Sequence, residues 1–196
     1  VTAAPKRYLA LGDSYTIGES VPENGRFPVQ LAAALHERGF DFAAPEIIAR
    51  TGWTTNELQD AIDLAKPKPP YDLVTLLIGV NNQYRGGDLR RYRSEFAKLL
   101  LHAIALAGRD KMQVLVISIP DWSVTPFARS DKRGVKRIGK QIDAFNAEAE
   151  RRIEQRKDPP AHAVIEVVDE ACLRHARKIP IQDRRLPEHI FGVLRI

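Results

Sequence analysis

The sequence predicts an α/β protein in which a parallel sheet lies between two layers of helices. Five short runs rich in aliphatic residues recur along the chain, their apolar residues are mostly consecutive instead of alternating with polar residues, and stretches with helical character separate them. Continuous apolar runs are typical of strands that are buried on both faces. Five such strands with right-handed crossovers form a three-layer α/β/α sandwich with a five-stranded parallel sheet.

The predicted strands are short runs of β-branched or aliphatic residues. They are "RYLAL" (7–11), "EIIAR" (46–50), "DLVTLLI" (72–78), "MQVLVISI" (112–119) and "HAVIEVV" (162–168).

Four helices are predicted between these strands, and three of them have end signals. Gly39 is a natural stop for the first helix, and Thr54 and Thr55 can cap the second. Asp88 is an N-cap candidate for the third, and the fourth has apolar residues at helical spacing. The four stretches are "FPVQLAAALHERG" (27–39), "TTNELQDAIDLA" (54–65), "DLRRYRSEFAKLLLHAIALAG" (88–108) and "VKRIGKQIDAFNAEAERRIEQRK" (135–157).

The length and composition of the chain fit one globular domain over residues 1–196. Of its residues, 44% are apolar, which is enough to fill a core, and no linker divides it. The formal net charge is +5, but only "ARSDKRGVKRIGK" (128–140) is locally basic. Such a patch could meet anionic lipid, nucleic acid or an acidic substrate, although a charge run is most often a solvated face. We therefore predict no nucleic-acid partner.

Membrane and targeting signals are absent from the sequence as given. No apolar run is long enough to span a bilayer, and the first residues lack the basic and hydrophobic regions of a signal peptide. We expect a cytoplasmic protein without stable membrane insertion, and secretion stays open if a leader has been removed. The sequence does not predict the oligomeric state.

Cysteine and histidine usage argues against a disulfide or a metal site. Cys172 is the only cysteine, and close Cys or His pairs do not recur at the spacing of a zinc site. We predict no metal and no cofactor. Cys172 is expected at a buried helix position, and His175 one turn later leaves a Cys/His pair as a minor alternative.

The candidate site residues lie in loops that follow the predicted strands, because the carboxyl ends of parallel strands meet at one edge of a sheet. Aromatic residues on or near these loops either line an acyl or sugar site or simply pack. These aromatic residues are Tyr15, Trp53, Tyr84 and Trp122. The loops are "GDSYTIGE" (12–19), "RTGWTTNE" (50–57), "GVNNQYRGG" (79–87) and "PDWSVTPFA" (120–128).

Ser14, Gly52 and Asn81 suit acyl chemistry, but each also has a purely structural interpretation. Ser14 is either a nucleophile projecting from a tight turn or a turn and cap residue. The Gly52 N–H and the Asn81 amide can donate to a developing oxyanion. The alternatives are a plain turn glycine and an Asx turn.

Taken together, the loops resemble the sequence blocks of the SGNH hydrolases, also called GDSL lipases and esterases. "GDSY" is similar to the first block, "RTGWTT" to the second and "IGVNNQYRG" to the third, and "YRSEFAKLL" and "SIPDWSVTPFA" resemble a lysophospholipase-like esterase subgroup. The likeness runs from about Tyr8 to Val168 and implies the flavodoxin-like SGNH hydrolase fold. It also implies that Ser14 is the nucleophile and that the N–H groups of Ser14 and Gly52 and the Asn81 amide form the oxyanion hole.

The C-terminal segment, about residues 176–196, is atypical for that family. The family has an aspartate three residues before its catalytic histidine, whereas the histidine that follows Asp183 is His189, six residues on. In one interpretation the loop is longer, His189 is the base and Asp183 or Glu188 orients it. In a second the block has been lost through a frameshift or truncation, and in a third His175 is the base.

The resemblance implies a serine esterase whose partner is a small-molecule ester, either a short-chain acyl ester or a lysophospholipid. Ser14 would form an acyl-enzyme, with His189 as the base and Asp183 beside it. The alternative is a catalytically impaired SGNH-like protein that binds an ester, glycan or lipid. Loss of a triad member typically lowers turnover by about three to six orders of magnitude, so the base decides between the two.

Overall fold

The computed structural model describes residues 4–154 and 164–165 of the chain. Within them, parallel strands form one sheet in the order β2-β1-β3-β4-β5. This is the strand order of flavodoxin-like sheets, and the predicted parallel α/β fold is confirmed. The strands are β1 (Tyr8–Gly12), β2 (Glu46–Ala49), β3 (Leu73–Leu77), β4 (Val114–Ile117) and β5 (Val164–Ile165).

In the part of the chain that the structure describes, the four long helices occur where the sequence predicts them, and two short ones are additional. The short helices follow β1 and β3 directly and begin at the loops that carry Ser14 and Asn81. Single 3₁₀ turns connect other elements, two of them after β4, at Trp122–Val124 and Phe127–Ser130. The helices are α1 (Ser14–Ile17), α2 (Phe27–Glu37), α3 (Thr55–Ala65), α4 (Val80–Tyr84), α5 (Leu89–Leu106) and α6 (Val135–Glu154).

The predicted caps form at two of the helix N-termini. Thr54 and Glu57 make a reciprocal capping box at α3, in which the Glu57 carboxylate accepts from the Thr54 N–H at 2.8 Å. This bond and the nearby Arg85 guanidinium hold the pKa of Glu57 below its usual value. Asp88 caps α5 by accepting from the Arg90 and Arg91 N–H groups.

The sheet separates two hydrophobic clusters because successive strand residues point to opposite faces. Leu9 and Leu11 of β1 face a cluster with buried residues of α3, α5 and α6, whereas Tyr8 and Ala10 face a cluster with buried residues of α2. Among the described helices, α2 alone supplies buried residues to the second cluster, and Tyr15 of α1 packs against it. Within the described residues, no helix is both long enough and apolar enough to cross a bilayer.

Gly12 fixes how the chain leaves the central strand. It pairs with Ala49 of β2 on one side and with Leu77 of β3 on the other. A Cβ atom at this position would lie 2.0 Å from the Thr16 hydroxyl and 2.4 Å from the Leu77 carbonyl oxygen. Only glycine therefore lets α1 fold back over the end of the sheet.

We expect Gly12→Ala to lower the free energy of unfolding by roughly 3 kcal/mol, because the new methyl group overlaps backbone that cannot move aside. Urea denaturation measures the loss. Gly139→Ala is the matched control. Gly139 lies inside α6, and the nearest atom to its new Cβ would be the rotatable Ser123 hydroxyl at 3.1 Å. That change should stay within about 1 kcal/mol of the wild type. Equal denaturation midpoints for the two variants would contradict this account of Gly12.

Candidate active site

Ser14 is the first residue of α1 and lies two residues beyond the end of β1. Asp13 caps this short helix, and its Oδ1 accepts from the Tyr15 N–H at 3.1 Å. Ser14 is half-buried, and neither its hydroxyl nor its N–H has a hydrogen-bond partner among residues 4–154 and 164–165. The turn therefore presents both a hydroxyl and a backbone donor without using either one.

Asp13 is fully buried directly beside Ser14. Its Oδ2 has no hydrogen-bond partner among the described residues, and neither has the buried hydroxyl of Thr16. Burial raises the pKa of Asp13 to about 7, although hydrogen bonds from the Tyr15 N–H and its own N–H act in the opposite direction. The turn that carries Ser14 thus holds a carboxyl group that prefers to be neutral.

Gly52 lies in the loop between β2 and α3 in a left-handed conformation, with φ of 86°. Its carbonyl oxygen accepts a hydrogen bond from the Arg85 guanidinium at 2.5 Å, and its N–H has no partner in the described part of the chain. The bond to the carbonyl orients the peptide that follows Gly52. The free N–H of Gly52 is a candidate donor to an anion.

Asn81 lies on α4, directly after the carboxyl end of β3. Its amide donates to the Trp53 carbonyl oxygen at 2.9 Å, which places the side chain next to the Gly52–Trp53 loop. Gly79, with φ of 131°, makes the sharp turn before α4, and a Cβ there would lie 2.8 Å from both Ile119 and Tyr92. An Asn amide has two N–H bonds, so the second remains available to a ligand.

A second set of contacts joins α4 to α3. Asn82 accepts from the Thr55 N–H at 3.1 Å and donates to the Thr55 hydroxyl at 2.8 Å. That hydroxyl, which is fully buried, donates in turn to Glu95 of α5, and Glu95 also accepts from Arg91 at 2.6 Å. The chain Asn82–Thr55–Glu95 therefore holds the helix of Asn81 against the loop of Gly52.

The first loop is tied to the second by a separate contact, because the Thr51 hydroxyl donates to the Glu19 carboxylate. Side-chain bonds thus connect all three loops at the carboxyl edge of the sheet. They bring the loops of Ser14, Gly52 and Asn81 to the same edge. Asp183 and His189 lie outside the described residues, as do Cys172, His175 and Glu188.

The four aromatic residues singled out in the sequence fall into two groups. Tyr15 and Trp53 pack against the hydrophobic clusters beside the sheet. Tyr84 contacts Trp122, with ring centroids 5.6 Å apart, and both contact Phe127, which the sequence reasoning did not single out. Within the described residues, no three His, Cys, Asp or Glu side chains are grouped to hold a metal ion.

Residues 10–180 match the model of the GDSL-like lipase/acylhydrolase family. No curated protein sequence matches the chain. Many solved structures are similar in fold, and three of them illustrate the likeness. AlinE4, an SGNH-hydrolase family esterase, is 20% identical with a TM-score of 0.57, over 82% of this chain and 83% of its own. The psychrotrophic esterase EstA from Pseudoalteromonas sp. is 14% identical with a TM-score of 0.60, over 82% and 76%. TesA is 18% identical with a TM-score of 0.62, over 97% and 98%.

Thr55→Val should lower the free energy of unfolding by about 1 to 3 kcal/mol, because Asn82 and Glu95 then lose a buried partner. Thr16→Val is the matched control, since the Thr16 hydroxyl is equally buried but has no partner among the described residues. That variant should be neutral or slightly more stable. Chemical denaturation distinguishes the two, and equal losses would show that the Thr55 contacts contribute nothing specific.

Asp13→Asn should stabilise the protein at alkaline pH. The unfolded chain releases this proton near its ordinary pKa of 3.8, whereas the folded protein holds it until about 7, so wild-type stability falls as pH rises between these values. We expect the variant to be more stable than the wild type by up to about 4 kcal/mol above pH ~8, with the difference vanishing below pH ~4.

Thermal unfolding across this pH range tests the prediction for Asp13. Asp110→Asn is the matched control, because Asp110 makes the same kind of cap, to Met112 N–H at 2.9 Å, at an exposed position. A stability difference between Asp13→Asn and the wild type that is the same at every pH would contradict the prediction.

Proposed function

Because the chain belongs to the GDSL-like lipase/acylhydrolase family, a family of ester-hydrolysing serine hydrolases, we propose that it cleaves carboxylic esters through an acyl-enzyme on Ser14. The observation that carries the proposal is the arrangement at the carboxyl edge of the sheet. There a serine hydroxyl at the start of α1 has no partner among the described residues, and the loops of two further candidate donors are joined beside it.

The oxyanion would be bound by three donors from three loops. These are the N–H of Ser14, the N–H of Gly52 and the second N–H of the Asn81 amide. Donors that are held in place before the reaction stabilise the developing charge without reorganisation, and one such donor typically contributes a factor of about 10² to 10³ in kcat. The bonds of Asn81 to Trp53 and of Arg85 to Gly52 supply this preorganisation.

The chemical step begins when Ser14 Oγ attacks the ester carbonyl carbon and its proton passes to a histidine base. The carbonyl oxygen becomes the oxyanion, and when it collapses the alcohol leaves with that proton. Water then attacks the acyl carbon and gives a proton to the same base. The bond between that carbon and Ser14 Oγ breaks as Ser14 takes the proton back from the base, and the carboxylic acid is released. We propose His189 as the base, oriented by Asp183, with His175 as the alternative.

The substrate is a small-molecule ester, and we propose short-chain acyl esters or lysophospholipids. The first follows from the family, and the second from the likeness of "YRSEFAKLL" and "SIPDWSVTPFA" to lysophospholipase-like esterases. A protein of this fold that lacked its base would bind such esters without turning them over. The two possibilities differ in whether Ser14 is activated.

Hydrolysis of p-nitrophenyl acetate, butyrate and longer esters tests the proposed roles. Ser14→Ala should lower kcat by about three to six orders of magnitude, and Asn81→Ala by about two to three, with a smaller effect on KM. His189→Ala should be as damaging as Ser14→Ala. Ser118→Ala is the matched serine control, because Ser118 follows β4 at the same edge and its buried hydroxyl has no partner among the described residues.

Covalent labelling separates an active serine from an inert one. One structure of EstA is inhibited by monoethylphosphonate, so a fluorophosphonate probe is a suitable reagent. The wild type and Ser118→Ala should be labelled on Ser14, and Ser14→Ala should not. Full activity of Ser14→Ala would refute the nucleophile, and loss of activity in His175→Ala but not in His189→Ala would reassign the base. An unlabelled wild type would favour the impaired binding protein.

A further inference from the structure

Exposed apolar side chains are concentrated on one side of the carboxyl edge of the sheet. Seven large apolar side chains are exposed in the described part of the chain, and four of them belong to α4, the 3₁₀ turns after β4 and the start of α6. The Phe127 ring stacks on the Tyr84 ring at 6.4 Å. The four are Tyr84 (46% exposed), Val124 (43%), Phe127 (61%) and Val135 (41%).

The same part of the chain carries the net positive charge of the whole protein. Segment 128–140 holds six of the 30 lysines and arginines and one of the 25 acids, so the rest of the chain has 24 of each sign. Arg133 pairs with Asp131 at 2.7 Å. The other five cations are exposed and have no ion pair among the described residues. They are Arg129, Lys132, Lys136, Arg137 and Lys140.

Arg133 fastens this surface to the helix that carries Asn81. Its guanidinium donates to the Tyr84 carbonyl oxygen at 3.1 Å and lies over the Tyr84 and Trp122 rings, 5.0 and 5.3 Å from their centroids. The Trp122 indole donates to Gln83 at 2.9 Å, and Gln83 donates to Gln141 of α6 at 2.8 Å. The apolar and basic groups are therefore held on one framework with α4.

We propose that this surface docks the protein on an anionic phospholipid bilayer, with Phe127, Tyr84, Val124 and Val135 in contact with the interface and the five free cations beside lipid phosphates. We call it the docking face. Apolar side chains next to lysines and arginines are the combination that binds anionic membrane surfaces. If the protein is the esterase proposed above, docking has a consequence, which is that the ester substrate is taken from the lipid surface. That consequence rests on the proposed function.

The position of the docking face supports that consequence. Tyr84 ends α4, and the 3₁₀ turns follow β4, so the docking face lies at the same edge of the sheet as the loops of Ser14, Gly52 and Asn81. A bilayer bound there faces the candidate active site. An ester with one acyl chain and a charged headgroup, such as a lysophospholipid, would have a short path from the surface to Ser14.

A lipid surface fits the docking face better than a nucleic acid does. Binding of single strands uses aromatic rings with open faces on which bases stack. The Tyr84 ring already contacts Phe127, Trp122 and the Arg133 guanidinium. Val124 and Val135 offer a base nothing to stack on, whereas both gain from leaving water at a bilayer interface.

Vesicle binding tests the proposal without any catalysis. Ser14→Ala protein is sedimented with vesicles of phosphatidylcholine alone or of phosphatidylcholine mixed with phosphatidylglycerol, at low and at physiological salt. We expect binding to the anionic vesicles only, weakened by salt because free cations make the contact. Lys132→Glu, Lys136→Glu and Lys140→Glu together should weaken it by at least roughly a hundredfold, because each lost lysine contributes roughly fivefold and each added carboxylate repels the anionic surface. Phe127→Ala should weaken it roughly tenfold.

The matched control reverses the same number of charges elsewhere. Lys66, Lys68 and Lys98 are exposed on α5 and on the segment between α3 and β3, away from the docking face. Their triple change to Glu should retain most of the binding. Three outcomes would overturn the docking face. They are equal losses of binding in the two triple variants, absence of binding to anionic vesicles, and tighter binding to a DNA oligonucleotide than to these vesicles.

Activity on a soluble ester keeps this inference distinct from the proposed function. When Ser14 is left intact, the variant with Lys132, Lys136 and Lys140 changed to Glu should hydrolyse p-nitrophenyl acetate at the wild-type rate. Its hydrolysis of lysophospholipid in anionic vesicles should fall. Vesicle binding without any ester hydrolysis would refute the esterase and leave the docking face standing. Hydrolysis of soluble esters without vesicle binding would do the reverse.

Discussion

The space beside the last residue of β1 is the constraint on which the rest of the structure depends. Gly12 lies between two neighbouring strands, and the first turn of α1 comes so close that the Thr16 hydroxyl lies only 2.0 Å from the place that a Cβ atom would take. The chain must therefore turn sharply at Asp13, whose carboxyl group caps the turn from inside the protein. Ser14 follows at the next position, half-buried and without a hydrogen-bond partner for its hydroxyl among the described residues, which gives it its candidate role.

Side-chain hydrogen bonds between the loops fix the loop positions that the sheet alone does not determine. A parallel sheet brings the ends of β1, β2 and β3 to one edge, but it does not fix the loops that follow. Here the contacts of Asn81, Arg85 and Thr51 join each loop to the next. These contacts use side chains on backbone carbonyls or carboxylates, so the N–H groups of Ser14 and Gly52 remain without partners among the described residues. The donors of the candidate oxyanion hole stay available for that reason.

The fold could be predicted from the sequence because its signals are local. Apolar runs, a cap at Asp88 and the turn at Gly39 each involve neighbouring residues. The contacts of Asn82 with Thr55 and of Thr55 with Glu95 span 27 and 40 residues. Such contacts leave no periodicity or composition to detect. The short helices α1 and α4 were missed because four or five residues are too few to show a helical period.

The register of the central strands has a consequence for how the protein folds. Gly12 of β1 pairs with Leu77 of β3. Because β1 precedes Ser14 and β3 precedes the helix of Asn81, these two strands pair only after the long segment between them has closed into a loop. Contacts between distant residues form late and slowly, because the chain entropy of closure is lost before the contacts form. During synthesis, Ser14 would leave the ribosome long before the pairing of β1 with β3 fixed the position of Asn81. Esterase activity would therefore appear at the end of folding and report a completed sheet.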